Sequence, residues 1–337
     1  MTKLLRLLRY VKPYRRDLAL VLVATGIGVA LEVLRPWPTK LLVDQILGNQ
    51  PPPSVLAVLP GGETRAGLLV WVSVATLLIF LAASLVSMAG TILSVRYGQR
   101  MVYDLAGDLF LHLQRLSLLF HSRRSVGDTI ARVTGDPYGV QTLVNGALLP
   151  LLQSGATLVT MFVVMWFLDP FLTLLSVAVV PLLATAIRVF GEPMKLRMRE
   201  RLDLEGKLMA SVHQALTALP AVQAFNREDL EHARFRKYAR ATVTAYERST
   251  AADMWFKLAV GLVTSAGTAG VMWLGGRAAM RGEVSAGTVL VFLAYLAALY
   301  TPLTAITYTA STLQHAAANA DRVLEILDTP ADVRERP

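Results

Sequence analysis

Few side chains in this 337-residue chain are of types, and at spacings, that could carry chemistry. Cysteine is absent, which removes thiol nucleophiles, disulfides and thiolate metal ligands. The five histidines, His112, His121, His213, His232 and His315, are scattered without metal-ligand spacing, so no metal site is expected. The one Gly-Lys pair, Gly206-Lys207, is followed by Leu208 and lacks the upstream glycine of a phosphate-cradling loop. No Ser/His/Asp array or carboxylate pair suggests catalysis, so no catalytic residue is assigned.

Polar residues inside apolar stretches are the remaining candidates, because such residues are costly there and usually face a bundle interior. Glu32 and Arg35 stand three apart and could pair, as could Lys40 and Asp44, four apart. These charges either order one end of a bundle or contact a substrate. Tyr295, Tyr300, Thr301, Thr304, Thr307, Tyr308 and Thr309 surround Pro302 on an otherwise apolar stretch. They either line a cavity for amphipathic molecules or hold helices together. The candidates for a substrate pathway are therefore Glu32, Arg35, Tyr295, Tyr300, Thr304 and Tyr308. Gly261, Ser265, Gly267, Thr268 and Gly270 read as close helix packing.

The elements that must position these residues are legible in the composition. Hydrophobic residues make up 54% and charged residues 17%, against about a quarter charged in soluble domains. Six apolar blocks stand out at residues 18–34, 66–95, 143–168, 170–187, 258–276 and 284–313. Each is near or above the ~20 residues that cross a bilayer. The fold class expected is all-α, an integral membrane bundle of six long helices. The third and fourth are joined only by Asp169-Pro170, where proline starts a helix cheaply. The first block is expected to be a retained span, since Glu32 to Pro38 offers no small-residue cleavage pattern.

Basic residues set the orientation. Six lie before the first block, six between Arg96 and Arg132, thirteen between Arg188 and Lys257, and three from Arg322 onward. Only Arg65, Arg277 and Arg281 lie in the opposite loops, with Arg35 and Lys40 at the far end of span one. The positive-inside rule then places both termini and both long loops in the cytoplasm. The net charge of +9 is accounted for in this way, and no nucleic-acid partner is expected. Residues 4–12 alternate apolar pairs with bases, which suits a short surface helix ended by Pro13.

The cytoplasmic stretches read as helices. Leu105, Leu109, Leu113 and Leu116 recur at helical spacing, and residues 66–120 would form one helix of ~80 Å, about twice a bilayer. Residues 188–257 mix charges of both signs at helical spacing. Two hairpins thus extend from the membrane, and they either let something in the cytoplasm push on the bundle or merely hold a dimer together.

Specific residues then resemble those of the transmembrane domain of ABC exporters. Phe120, Gly127, Asp128, Arg132 and Asp136 resemble one recurring pattern, and residues 221–229, with Phe225 and Glu228, resemble another. Pro36, Pro38, Lys40 and Asp44, the run Gly282-Glu283-Val284-Ser285-Ala286-Gly287, and residues 320–328 resemble three more. The departures are Pro137 after the aspartate and Gln223 where lysine is common. Asp136 could cap a helix that Pro137 opens.

The resemblance covers nearly the whole chain. It implies a transmembrane domain over 1–326, with spans about 18–47, 66–120, 137–168, 170–204, 234–276 and 284–326, and a linker over 327–337. It implies two coupling helices that seat in a nucleotide-binding domain. The first carries Phe120, His121, Ser122, Arg123, Gly127 and Asp128; the second, near 205–214, carries Leu208, Met209 and His213. It implies no cofactor bound by this chain, with ATP and magnesium held by that domain, fused or separate. Fusion being usual in such exporters, the reading frame is expected to continue past Pro337. The implied partners are a second transmembrane half, identical or homologous, and membrane lipids. The implied function is ATP-driven export of a lipid, drug or peptide-like amphiphile across a bacterial inner or plasma membrane. A non-transporting scaffold or regulatory subunit of the same fold is the alternative.

Overall fold

The computed structural model describes residues 10–48, 60 and 64–330, apart from the side chains of Tyr300, Thr304, Ile306, Thr307, Tyr308, Ala310, Ser311 and His315. The surface helix expected over residues 4–12 lies largely outside this range. Every regular element among the described residues is helical. Six helices among them are long and apolar enough to cross a membrane: Lys12–Leu47, Arg65–Gln114, Val126–Leu168, Pro170–Thr217, Glu228–Met280 and Ala286–Leu303. The chain divides into two compact units, residues 1–170 with 278–337, and residues 171–277.

In the larger unit, prolines place the breaks. A proline has no N–H, and its ring collides with the carbonyl four residues back. α1 (Arg15–Leu34) ends four residues before Pro38. It is followed by α2 (Trp37–Leu41) and a π-helical stretch, Leu42–Leu47. The second span is a single helix, α3 (Arg65–Gln114), about 75 Å long at 1.5 Å per residue. It starts where the Thr64 side chain accepts the Gly67 N–H at 3.1 Å. Its first half exposes Leu77, Leu78, Phe80 and Leu81, a surface suited to lipid. Its second half buries Tyr97, Met101, Leu105, Leu109 and Leu113 along one stripe.

The helix expected to run to residue 120 stops at Gln114. Ser117 adopts extended backbone and accepts the Phe120 N–H, opening a separate α4 (Leu118–Ser122). The third span also begins earlier than the expected residue 137. Ser125 accepts the Asp128 N–H at 3.1 Å and caps α5 (Val126–Thr134). α6 (Tyr138–Leu143) follows without a side-chain cap, so Asp136 does not serve as the expected cap. A π-helical stretch, Val144–Leu148, leads into α7 (Leu149–Leu168). Pro150 stands four residues after Gly146, and the widened turn accommodates it.

The smaller unit holds the fourth span and most of the fifth. Pro170 opens α8 (Pro170–Val177), as expected, and Pro181 ends it four residues back, before α9 (Val179–Thr217). The second turn was expected over 205–214, but Leu208, Met209 and His213 lie within unbroken α9. Gly206 alone is too weak a breaker. The break comes instead at Ala218, before α10 (Leu219–Ala224), and at Asn226, whose φ of 50° is a left-handed conformation that asparagine tolerates. α11 (Glu228–Met280) follows. Ion pairs such as Arg197–Glu200 at 2.9 Å and Lys207–Asp203 at 2.7 Å lace the exposed faces. Of the glycines expected to pack, Gly267 meets Val179, where an added Cβ would come within 2.4 Å of Cγ2. Gly261 and Gly270 have no such neighbour within 4 Å.

The chain re-enters the larger unit through Gly282, whose φ of 76° suits glycine. Ser285 caps α12 (Ala286–Ala298) by accepting the Thr288 N–H at 3.1 Å. The sixth span was expected as one helix over 284–326. It breaks at Leu299, because Pro302 stands four residues past Ala298, and resumes as α13 (Tyr300–Leu327).

Candidate functional site

Two polar clasps hold the sixth span, one at each end. The first lies at the basic end of the spans. Here α13 places Ala320, Val323, Leu324 and Ile326 in one buried cluster with the α3 stripe and Val140 of α6. That packing brings the polar edge of α13 against α4 and α5. Arg124 donates to Glu325 Oε1 at 2.6 Å, and Arg132 donates to Glu325 Oε2 at 2.8 Å. Arg132 also donates to Asp128 at 2.9 Å, one helical turn away. Arg322 grips Asp136 with two parallel bonds, Nε to Oδ2 at 2.9 Å and NH2 to Oδ1 at 2.8 Å. Asp136 is therefore an anchor for the last helix.

Further contacts extend this clasp. His112 Nε2 lies 2.9 Å from the Thr329 carbonyl, so it must carry the proton and donate. The Arg124 guanidinium stacks 4.8 Å from the Phe120 ring centre. Tyr10 donates to Asp108 at 2.9 Å, and Tyr14 donates to Asp104, tying the N-terminal turn to α3. The hydrogen bonds from Arg132 and Arg124 hold the Glu325 carboxyl below its usual range. Asp136 likewise pushes the Arg322 guanidinium up.

Of the expected coupling residues, Phe120, His121, Ser122 and Arg123 sit on or beside α4, and Gly127 and Asp128 in the first turn of α5. His121 is fixed by a 3.1 Å contact to the Leu113 carbonyl. The outer face of this hairpin is apolar and open: Leu118 is 87% exposed, Leu119 59%, Val126 76% and Ile130 56%. In the smaller unit, Met209, Leu216 and Phe225 are exposed apolar residues, and His213 is exposed while Leu208 is half-buried.

The second clasp lies at the opposite end of the first and sixth spans. Asp44 is buried, and accepts Lys40 Nζ at 2.7 Å, the Ser285 hydroxyl at 2.6 Å and the Gly287 N–H at 2.8 Å. Lys40 also donates to Ser285 at 3.0 Å and Thr288 at 2.9 Å. The carboxylate thus caps the N-terminus of α12 from another span, where a negative charge is favoured. The fit requires glycine at 287: an added Cβ would lie 2.7 Å from the Asp44 carboxylate.

The remaining pathway candidates fare differently. Tyr295 is 1% exposed. Its hydroxyl donates to the Val33 carbonyl at 2.6 Å and accepts from Trp37 Nε1 at 3.1 Å, stapling α12 beside the proline break in span one. Glu32 and Arg35 form no side-chain ion pair with each other. The helix tightens there, and the Arg35 N–H reaches the Glu32 carbonyl at 3.2 Å. Tyr300, Thr304 and Tyr308 lie on α13 with side chains outside those described.

Sequence reasoning missed how its own motifs pair. Asp136 in one resembling run meets Arg322 in another, and Asp44 meets Ser285 and Gly287. The signal was present in each run, but nothing local tells residue 44 that its partner lies more than two hundred positions away.

The chain matches known proteins along its length. It is 27% identical over 331 residues to an ATP-dependent lipid A-core flippase of Syntrophus aciditrophicus, covering 98% of this chain and 53% of that protein. It is 25% identical over 340 residues to an uncharacterized ABC transporter ATP-binding protein of Bacillus subtilis, covering 98% and 53%. A putative multidrug export ATP-binding/permease protein of the same organism is 23% identical over 338 residues, covering 98% and 56%. The chain thus spans about half the length of these relatives. The family model for the ABC transporter transmembrane region matches residues 18–303. With six membrane-spanning helices, the sixth clasped at each end, this is a multi-pass membrane protein of the ABC transporter transmembrane family.

Proposed function

We propose that this chain is the membrane-spanning half of an ATP-driven exporter, working with a second copy or a homologue. Both termini and both hairpins lie in the cytoplasm, a reading supported by the distribution of the basic residues, and the bacterial relatives support a bacterial cell. One observation carries the reading. The first hairpin is bolted to the end of the last helix by Arg124, Arg132 and Glu325, yet it exposes Leu118, Leu119, Val126 and Ile130. An apolar face left exposed beyond the spans suits a docking surface. The relatives' names supply its partner, an ATP-binding domain.

In this reading α4 and the start of α5 seat in a groove of that domain. Leu208, Met209, His213 and the exposed tip around Phe225 serve the second contact. ATP and magnesium are held by the ATPase part. Its closure on ATP moves the hairpins, and the spans alternate between inward-open and outward-open states. The cargo is a lipid, drug or peptide-like amphiphile. The test uses the full-length protein with its ATPase part in proteoliposomes, following ATP-dependent movement of labelled lipids and drugs. The variant Leu118→Asp/Leu119→Asp is expected to lower transport at least tenfold. Transport at the original rate, or no ATP-dependent transport of any amphiphile by the parent protein, overturns the reading.

A further inference from the structure

A cleft of about 470 Å³ opens between α1, α3 and the third span. α1 supplies small residues and Thr25; α3 supplies Ser87 and Thr91; the third span supplies Gln141, Asn145 and Gln153. The polar residues are spaced to face one way. Ser87 and Thr91 stand one helical turn apart, and Gln141, Asn145 and Gln153 fall at multiples of four. Asn145 sits in the π-helical stretch, a distortion common where a helix must present a group for function.

The hydrogen bonding divides these groups. Asn145 is fixed, since its carbonyl oxygen accepts the Tyr97 hydroxyl and its amide donates to the Ser94 carbonyl at 3.2 Å. Thr25 and Thr91 donate back to their own helices at 2.8 Å, leaving their lone pairs as acceptors. Gln141 and Gln153 make no side-chain hydrogen bond with the described residues. Two amides with both donors and acceptors, and hydroxyls beside them, therefore face the cleft. No acid or base lines it.

Those facts select a ligand chemistry. A net charge there would meet no counter-charge among the lining residues, and such a charge is costly within a span. A head group bearing several hydroxyls or amides would satisfy the side chains in both directions. Val21, Val86 and Leu149 on the same walls suit an attached apolar chain. We infer that this cleft binds an amphiphile whose head group is uncharged and rich in hydroxyl or amide groups. The inference rests on the exporter reading and narrows its cargo.

The experiment is binding without nucleotide, to full-length protein in nanodiscs of phosphatidylcholine. The probes share one fluorescent diacylglycerol body and differ only in the head: monoglucosyl, phosphoglycerol, or a quaternary ammonium. The glucosyl probe is expected to bind at least tenfold more tightly than either charged one. Gln153→Leu and Thr91→Val are each expected to weaken it by about fivefold, while Gln153→Lys brings the phosphoglycerol probe up towards it. Equal binding of all three heads, or affinities unmoved by both substitutions, overturns the inference. So does a result in which the variants alter association of two copies of the chain and leave probe binding alone. Since the probes are bound without ATP, a failure here leaves ATP-driven transport intact, and a failure of transport leaves the head-group preference measurable.

Discussion

The two clasps on the sixth span use the same residue types in opposite surroundings. At one end the Asp44 side chain is 3% exposed and Lys40 20%. At the other, Glu325 is 50% exposed, and its partners Arg124 and Arg132 are 24% and 14% exposed. A buried pair is held by the loss of water on both sides, so removing one partner strands the other. Glu325 is half in solvent and can return to water at little cost, although Arg132 is as sheltered as Lys40. The first kind holds two spans together. The second can release and re-form under load, which suits the end where the proposed ATPase domain pushes.

Substitutions can break this contrast, and the largest effect belongs to the buried end. Asp44→Ala should destabilise by about 3 kcal/mol, because Lys40 loses its counter-charge and α12 its cap. Replacing both, as Lys40→Met/Asp44→Leu, should cost less than the single change. Thermal unfolding in detergent measures both, and additive losses would refute the strand-the-partner argument. Gly287→Ala comes next, at about 2 kcal/mol, since its Cβ must displace the Asp44 carboxylate. The smallest effect is Glu325→Gln, within about 1 kcal/mol and shrinking further in high salt.

Acid sharpens the same contrast. The carboxyl of Glu325 is held below its ordinary value of 4.5, so its contribution is complete above that pH. It fades as pH falls through the lower value of the folded state. The Arg322 guanidinium is raised instead by its hydrogen bonds to Asp136, so its contribution is fully present throughout the acid and neutral range and would be lost only in strong alkali. Cross-linking of cysteines introduced at positions 123 and 328 should therefore loosen on the acid side alone. Symmetric loosening at alkaline pH would contradict the assignment.

Much of the fold was legible because its causes are local. Apolar length, basic flanks and the leucine stripe of α3 each depend on a few neighbouring residues. Four of the helix breaks are local too, since Pro38, Pro181, Pro220 and Pro302 each stand a turn past an end. The second turn was misplaced because its position was carried over from the resemblance, while the local signals, Pro220 and Asn226, stand further along the chain. The site was less legible. Tyr295 carries the same hydroxyl whether it faces a cargo or the Val33 carbonyl, and only the path of another span decides. Glu325 resembles any surface carboxylate until Arg124 and Arg132 come beside it.

The glycine at 287 also bears on inheritance. Five positions, 40, 44, 285, 287 and 288, share one small volume, so they cannot drift separately. A descendant that enlarges residue 287 must shorten or discard the acid at 44, and one that discards the acid must neutralise the base at 40. Variation among relatives should therefore arrive as matched sets across these positions, while the exposed carboxylate at 325 is free to change one step at a time.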